Sequence, residues 1–211
     1  ILLGCGIAAF ATTPAWAQDN NYVPLAGGNW STSANWSLGH CPLPAETPRI
    51  IVSSTAHKVV TYNWTGASGF PLVELDGSSS GYYAMLTHSA NVLSATEVRL
   101  GGDGPAYYWM DGTGLLSVAD QFRAGSYGDG RGTFHLSTTL HENYGLRVGD
   151  LCYVGYIAPG TFDHVGGLAR VHRLYIGQND AGEYLMRGGR LEVANQFVLG
   201  NGDVGTFTQT G

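Results

Sequence analysis

Paired carboxylates in glycine-rich turns are the first residues of this chain that could do chemistry. Asp180 and Asp203 occupy equivalent turns of two successive repeats. Carboxylates stacked in this way in a β-roll can ligate Ca²⁺, which takes six to eight oxygen ligands. The equivalent turn before them reads Ala158-Pro159-Gly160, however, and aspartate favours turns for its local hydrogen bonds alone. We therefore expect solvated turns, with a Ca²⁺ site as the alternative and no other cofactor.

Aromatic side chains offer a second kind of chemistry, because their faces stack on sugar rings or on neighbouring subunits. Five of them form a candidate outward stripe: Tyr108, Trp109, Tyr153, Tyr156 and Tyr175. A stripe of this kind predicts binding to glycans or to other surface proteins.

A polar segment from His135 to Gly145 is longer than its neighbours in the repeat require. We expect it to project as a loop, since insertions in repeat proteins often map to a binding face. His141 and Glu142 are its best contact residues, although a plain exposed loop without a binding role is the preferred interpretation.

Catalytic chemistry has little support in the sequence. Glycosidic hydrolysis needs two carboxylates about 5 to 10 Å apart, and the coil region offers few acids. Arg99 and Arg123 align in adjacent repeats with Glu97 nearby, which is the arrangement that lyase chemistry would favour. We expect no enzyme, with a polysaccharide lyase or hydrolase as the alternative.

A repeat sets the elements that must position these residues. Gly167, Gly189 and Gly211 stand 22 residues apart, and a fixed period of this size indicates stacked coils. Apolar residues recur three positions before the glycine that ends each apolar run: Val98, Phe122, Cys152, Leu174 and Phe197. The period-two alternation around them indicates strands, so we expect these five side chains to form one interior file.

The predicted fold is all-β. We expect a right-handed parallel β-solenoid with about three short strands per coil of 22 to 24 residues and an N-terminal cap. Because no single coil can bury its apolar face alone, such a fold is stabilised by the interfaces between coils.

The first 17 residues have the features of an export signal. Residues 1–17 are apolar and uncharged, and they end in Ala15-Trp16-Ala17, a small-x-small cleavage pattern. We predict a signal peptide that is truncated at its start, and hence an extracellular or cell-surface location. A buried N-terminal strand and a lipoprotein site at Cys5 are the alternatives.

The rest of the chain divides by its agreement with the repeat. Residues 18–90 do not follow it and are predicted to form the cap and the start of the solenoid. Trp30 and Trp36 are expected to pack over the first coil, with an aromatic carbohydrate platform as the alternative. Residues 91–211 are predicted to be the coils, truncated at the C-terminus.

Charge and composition exclude several classes of partner. The net charge is −6 and Lys58 is the only lysine, which argues against nucleic acid because phosphate backbones require a basic stripe. No stretch after the leader is long and apolar enough for a membrane span. Cys41 and Cys152 could pair after export, but Cys152 falls at an inward position where a free thiol acts as a small hydrophobe.

One segment carries a family resemblance. The stretch Gly28-Asn-Trp-Ser-Thr-Ser-Ala-Asn-Trp-Ser-Leu-Gly-His-Cys-Pro42, followed by Leu/Gly/aromatic coils, resembles bacterial exported proteins with autotransporter-associated β-strand repeats. The resemblance covers residues 28–211 and implies a secreted or surface β-helix.

The expected role is structural or adhesive, as a stalk, surface-layer or fibre component. Self-association through the ends of the solenoid is expected, because an open coil offers unpaired backbone groups. A carbohydrate-binding or polysaccharide-cleaving β-helix module is the alternative.

Overall fold

The structure, a computed structural model, describes residues 17–53 and 55–210. The predicted signal peptide, apart from Ala17, therefore lies outside the described residues. Within them no helix is long and apolar enough to cross a bilayer. The only helical turn that these ranges contain is a 3₁₀ turn, Ser33–Asn35.

Sixteen strands, numbered along the described chain, form two eight-stranded sheets. The first sheet contains the odd-numbered strands: β1 Gln18–Asn21, β3 Glu46–Ile51, β5 Phe70–Asp76, β7 Val92–Leu100, β9 Leu115–Ala124, β11 Gly145–Val154, β13 Leu168–Ile176 and β15 Arg190–Leu199. The second sheet contains the even-numbered strands: β2 Gly27–Asn29, β4 Lys58–Thr61, β6 Ala84–His88, β8 Ala106–Gly112, β10 Gly132–Thr138, β12 Gly160–Gly166, β14 Gly182–Met186 and β16 Gly205–Gln209.

All the pairings within both sheets are parallel, and strands alternate between the sheets along the chain. Each odd strand and the even strand that follows it make one winding, so the described chain makes eight. This confirms the predicted all-β parallel solenoid. Paired strands lie about 4.8 Å apart, which sets the rise per winding.

The number of strands per winding differs from the expected three. Each winding has two strands, because the first two predicted strands are one long strand that bends in the middle. The bend is a register shift in the pairing, for example between Ala95 and Glu97 of β7 against β9. It gives the long strand two straight halves that keep their apolar residues inward.

The interior file of the solenoid runs as the sequence predicts. Val98 pairs with Phe122, Phe122 with Cys152, Cys152 with Leu174, and Leu174 with Phe197. The first four side chains are completely buried, whereas Phe197 is 44% exposed because it lies in the last described winding. A second file on the other sheet is aromatic over most of its length: Tyr108, Phe134, Phe162, Tyr184 and Phe207.

Glycine forms the corners for two separate reasons. Gly101, Gly125, Gly155, Gly177 and Gly200, which end the long strands, all have φ between +71° and +80°, a region that favours glycine. Gly182, where the short strand begins, has ordinary backbone. A Cβ placed on it would lie 2.0 Å from the Val154 carbonyl oxygen of the previous winding, so the corner excludes any side chain.

The predicted boundary at residue 90 has no counterpart in the sheets. β1 to β6 already belong to the two sheets, so residues 18–90 supply the first three windings. Trp30 and Trp36 are buried against each other, and the Trp36 indole N–H donates to the Trp30 carbonyl oxygen at 2.7 Å. They close the core of the first windings, which rules out the carbohydrate platform.

The projecting loop is shorter than predicted. His135 to Thr138 belong to strand β10, with Leu136 completely buried, and only residues 139–144 leave the sheets. The loop accounts for the extra residues that separate β9 from β11. The two strands pair along their length without a shift in register.

Candidate functional site

The outer face of the first sheet carries a tyrosine cluster. The inward register of Cys152 and Leu174 turns the next residue of each strand outward, and these residues, Tyr153 and Tyr175, are direct partners on β11 and β13. Their rings lie 5.3 Å apart between centroids. Tyr156, at the corner after β11, lies 4.7 Å from Tyr153. All three rings are half-buried, so part of each face is open to solvent.

Arg123 joins this tyrosine cluster from the preceding winding. It is the register partner of Tyr153, and its guanidinium carbon lies 4.7 Å above the centroid of Tyr156. The same guanidinium lies 3.2 Å from Glu97, and its Nε donates to Gln121 at 3.1 Å. A cation over an aromatic face in this geometry fixes the ring in place.

The far side of the cluster is lined by hydrogen-bonding groups. The Tyr175 hydroxyl donates to the Gln196 side-chain oxygen at 2.8 Å. Arg173 donates through Nε to Asp150 at 2.9 Å. Burial, with Tyr156 and Tyr175 nearby, raises the pKa of Tyr153, so its hydroxyl stays protonated and can donate at neutral pH. Aromatic faces beside donors and acceptors can stack on the apolar face of a sugar and bond its hydroxyls.

The sequence places Tyr153, Tyr156 and Tyr175 correctly but not the other two members of the stripe. Tyr108 points inward and is completely buried, so its assignment as a binding residue is wrong. Its hydroxyl lies 2.8 Å from His88 Nδ1 inside the core. Trp109 is exposed, but it lies on the outer face of the second sheet, away from the tyrosine cluster.

Trp109 begins a polar row that the sequence reasoning did not identify. It stacks on His135 with ring centroids 3.7 Å apart. His135 Nδ1 lies 2.8 Å from Asp163, and Arg187 lies 2.9 Å from the other oxygen of that carboxylate. Trp109, His135 and Asp163 each follow the residue of the aromatic file in their strand, so the coil alignment carried one position further would have found this row.

His141 and Glu142 lie in the projecting loop, as predicted, and both are exposed. With Leu140 they form one wall of a groove of about 440 Å³, and the other wall contains Arg170, Arg190 and Glu192. Glu192 pairs with both arginines at 2.6 Å. Both arginines of this wall therefore already have a carboxylate partner in Glu192.

The turn carboxylates bind their own backbone. Asp180 accepts from the Ala181 amide at 2.6 Å, and Asp203 accepts from the Val204 amide at 2.5 Å. In the described part of the chain, no three His, Cys, Asp or Glu side chains are grouped as metal ligands would be. Solvated turns, with a Ca²⁺ site as the alternative, stay a prediction.

The two described cysteines are buried, and the aligned arginines Arg99 and Arg123 are ion-paired. Cys41 and Cys152 are both free and buried, so they form no disulfide. Arg99 and Arg123 are register partners, as the sequence indicated, but both are paired with Glu97. Glu97 thus contacts both guanidinium groups.

Comparison with protein-family models, with curated proteins and with solved structures found no match. The resemblance to autotransporter-associated repeats stays a prediction that rests on the residues quoted for it.

Proposed function

We propose that the chain is a structural or adhesive β-solenoid, exported and displayed as a stalk, surface-layer or fibre component. The observation that carries the proposal is the uninterrupted parallel stack, in which eight windings share two sheets and one core. A stack of this kind gives length and stiffness through repeated interfaces rather than a single enclosed site. The apolar leader at residues 1–17 supports export.

The charged side chains support a structural role because they connect neighbouring windings. Arg49 pairs with Asp19 of the winding before and Glu74 of the winding after. Arg123 pairs with Glu97, Arg170 with Glu192, and Arg173 with Asp150, each across one winding interface.

The last described winding supplies a surface for self-association. β15 and β16 each pair with one neighbour only, and apolar side chains beside them are open to solvent: Phe197, Leu199 and Val204. Unpaired strand edges of this kind add further strands readily. We propose self-association through the ends of the solenoid, in which a second copy of the 211-residue sequence stacks on this winding.

Analytical ultracentrifugation across a concentration series tests the assembly. We expect dimers or longer species for residues 18–211. Leu199→Lys should dissociate at a concentration at least tenfold higher than the wild type does, because a charge would be buried in the contact. Thr208→Lys, on the exposed face of β16, is the matched control and should associate normally. A wild-type chain that stays monomeric at all concentrations would refute this mode of assembly.

A second candidate function, carbohydrate binding without turnover, is favoured by the tyrosine cluster. Tyr153, Tyr156 and Tyr175 form a row of half-buried rings with an arginine and two amide side chains beside it. The row is a stacking surface that the structural role does not require.

A polysaccharide array tests this second function. Tyr153→Ala combined with Tyr175→Ala should weaken binding about thirtyfold, since each lost stacking contact costs about 1 kcal/mol. Tyr107→Ala removes an outward tyrosine from the other sheet and should leave binding unchanged. Equal binding by both variants would rule out the tyrosine cluster as the binding surface.

A further inference from the structure

The only lysine of the chain is buried without a counter-charge. Lys58 begins β4 with its side chain turned into the first windings, and it is 4% exposed. Its ammonium donates to the Tyr22 carbonyl oxygen at 2.9 Å, which uses one of its three N–H groups. None of the ten ion pairs among the described residues involves it.

The remainder of the sequence cannot supply the missing charge. Residues 1–16, Ser54 and Gly211 contain no aspartate or glutamate. Burial lowers the pKa of Lys58, and no carboxylate opposes that shift. A buried ammonium without a partner is costly, so an anion that reached it would stabilise the folded chain.

Packing does not explain a lysine at this position. The register partners of Lys58 in the six windings that follow are all alanine or glycine: Ala84, Ala106, Gly132, Gly160, Gly182 and Gly205. The corner is therefore built without a long side chain everywhere else in this column.

Lys58 lines an open pocket at this corner. The pocket has a volume of about 390 Å³ and also contains Asn21, Arg49 and Ser53. Arg49 already contacts two carboxylates, Asp19 and Glu74, which lie 2.7 and 2.5 Å away. The Lys58 ammonium is the cation of the pocket that no described carboxylate contacts, while the amide of Asn21 and the hydroxyl of Ser53 can bond further oxygens of a ligand. The volume falls in the range of small-molecule sites, roughly 300 to 1,000 Å³.

We propose that this pocket binds the carboxylate of a small acidic molecule through Lys58. The site shares no residue with the tyrosine cluster or with the last winding, so a test of the site does not depend on the proposed function.

Calorimetry and thermal melting at constant ionic strength test the site, with sodium acetate, glucuronate and glucose as probes in a chloride background. We expect acetate and glucuronate to bind saturably and raise the melting temperature, and glucose to have no effect. Lys58→Met keeps the apolar stem and should weaken binding at least tenfold. Arg190→Met removes an exposed charge from the last winding and should bind as the wild type does.

Two results would overturn the proposal: no saturable binding of either acid by the wild type, or equal binding by Lys58→Met. If Lys58→Met fails to fold, the wild type still decides the matter. With ¹³Cε-labelled lysine a one-lysine chain gives a single side-chain resonance, which must shift saturably with acetate or glucuronate. A resonance that does not move refutes the site.

Discussion

Two buried histidines make the same contacts three windings apart. His88 Nδ1 lies 2.8 Å from the Tyr108 hydroxyl and its Nε2 lies 3.2 Å from the Asn91 carbonyl oxygen. His164 repeats the arrangement with Tyr184 at 2.9 Å and the Gly167 carbonyl oxygen at 3.3 Å. In each case the tyrosine comes from the next winding, so the pair joins two windings inside the core.

These histidines predict that the solenoid weakens in acid. Burial lowers the pKa of His88 to about 4, and it also lowers that of His164. In the unfolded chain the His88 side chain is protonated below about pH 6.5, whereas in the folded chain it stays neutral down to about pH 4. The free energy of unfolding therefore falls as the pH drops from about 6.5 to about 4. His88 alone accounts for about 3 kcal/mol over that range.

Denaturant unfolding at several pH values measures this effect. His88→Met introduces the same residue type as its register partner, Met110. This variant should show a flatter dependence of the free energy of unfolding on pH. His172→Met, at a partly exposed position, should leave the slope unchanged. Parallel slopes for the wild type and His88→Met would contradict the assignment.

Tyr108 shows at residue scale where sequence reasoning stops. The aromatic file follows a Gly-x-aromatic pattern at Phe134, Phe162, Tyr184 and Phe207, and Tyr108 belongs to it through Ala106 in place of the glycine. Alanine is small enough for that corner, so the pattern keyed on glycine missed it. Tyr108 then looked like part of an outward stripe because it stands beside Trp109.

The strand corners give a prediction at the scale of the element. A Cβ on Gly182 would meet backbone of the neighbouring winding, so Gly182→Ala should cost about 3 kcal/mol or more by forcing two windings apart. Gly39→Ala is the control. Gly39 has φ +74° but no atom within 4 Å of its added Cβ, so only the backbone penalty of about 1 kcal/mol applies.

Thermal and denaturant unfolding distinguish these two effects. A loss for Gly182→Ala no larger than that for Gly39→Ala would show that the neighbouring winding accommodates a Cβ at Gly182, which contradicts the prediction.

The projecting loop should be dispensable for folding. Replacing residues 139–144 with Asn-Gly should change the free energy of unfolding by less than about 1 kcal/mol, because loop length enters closure entropy only logarithmically. Leu140 is exposed, and the bond from Arg147 to the Glu142 carbonyl oxygen is lost. The Thr139 amide also donates to the Gly112 carbonyl oxygen at 2.9 Å, and a backbone amide at position 139 can keep that bond. Circular dichroism and melting measure the outcome; loss of the β-sheet spectrum would show that the loop is part of the fold.

The sequence pattern does not reach the first windings because their corners lack its glycine. Ile51 and Asp76 stand where the following windings carry Gly101 and Gly125. The Asp76 carboxylate accepts from the amides of Gly102 and Gly104 at 2.9 and 3.2 Å. A side chain thus holds a corner that a glycine forms elsewhere, so a template anchored on glycine ended too early.

The bend in the middle of the long strand also limits how far the pairing register can be predicted from the sequence. Counting nine positions back from the corner glycines predicts Val92 as the partner of Leu116. The structure pairs Leu93 with Leu116 instead, and Leu93 is completely buried while Val92 is exposed. The interior file was predictable because it lies between the bend and the corner, where counting is unaffected.

The whole molecule is a one-dimensional stack, which predicts a gradient of stability along it. Windings in the middle are covered on both sides, whereas β15 and β16 pair with one neighbour each. Hydrogen exchange should be slowest in β9 and β11 and fastest in β15 and β16, since local opening is cheapest where contacts are fewest. Uniform exchange along the stack would show that the eight windings open as one unit.

The buried thiol of Cys152 can report how often the core of the solenoid opens. The sulfur lies in the middle of the interior file with none of its surface exposed, and burial raises its pKa far above the ordinary value. An alkylating reagent can mark it only while the central windings are apart, because the thiolate is the reacting species. Mass mapping of the alkylated peptide would therefore time the opening of the core in unlabelled protein, on a cell or in a fibre.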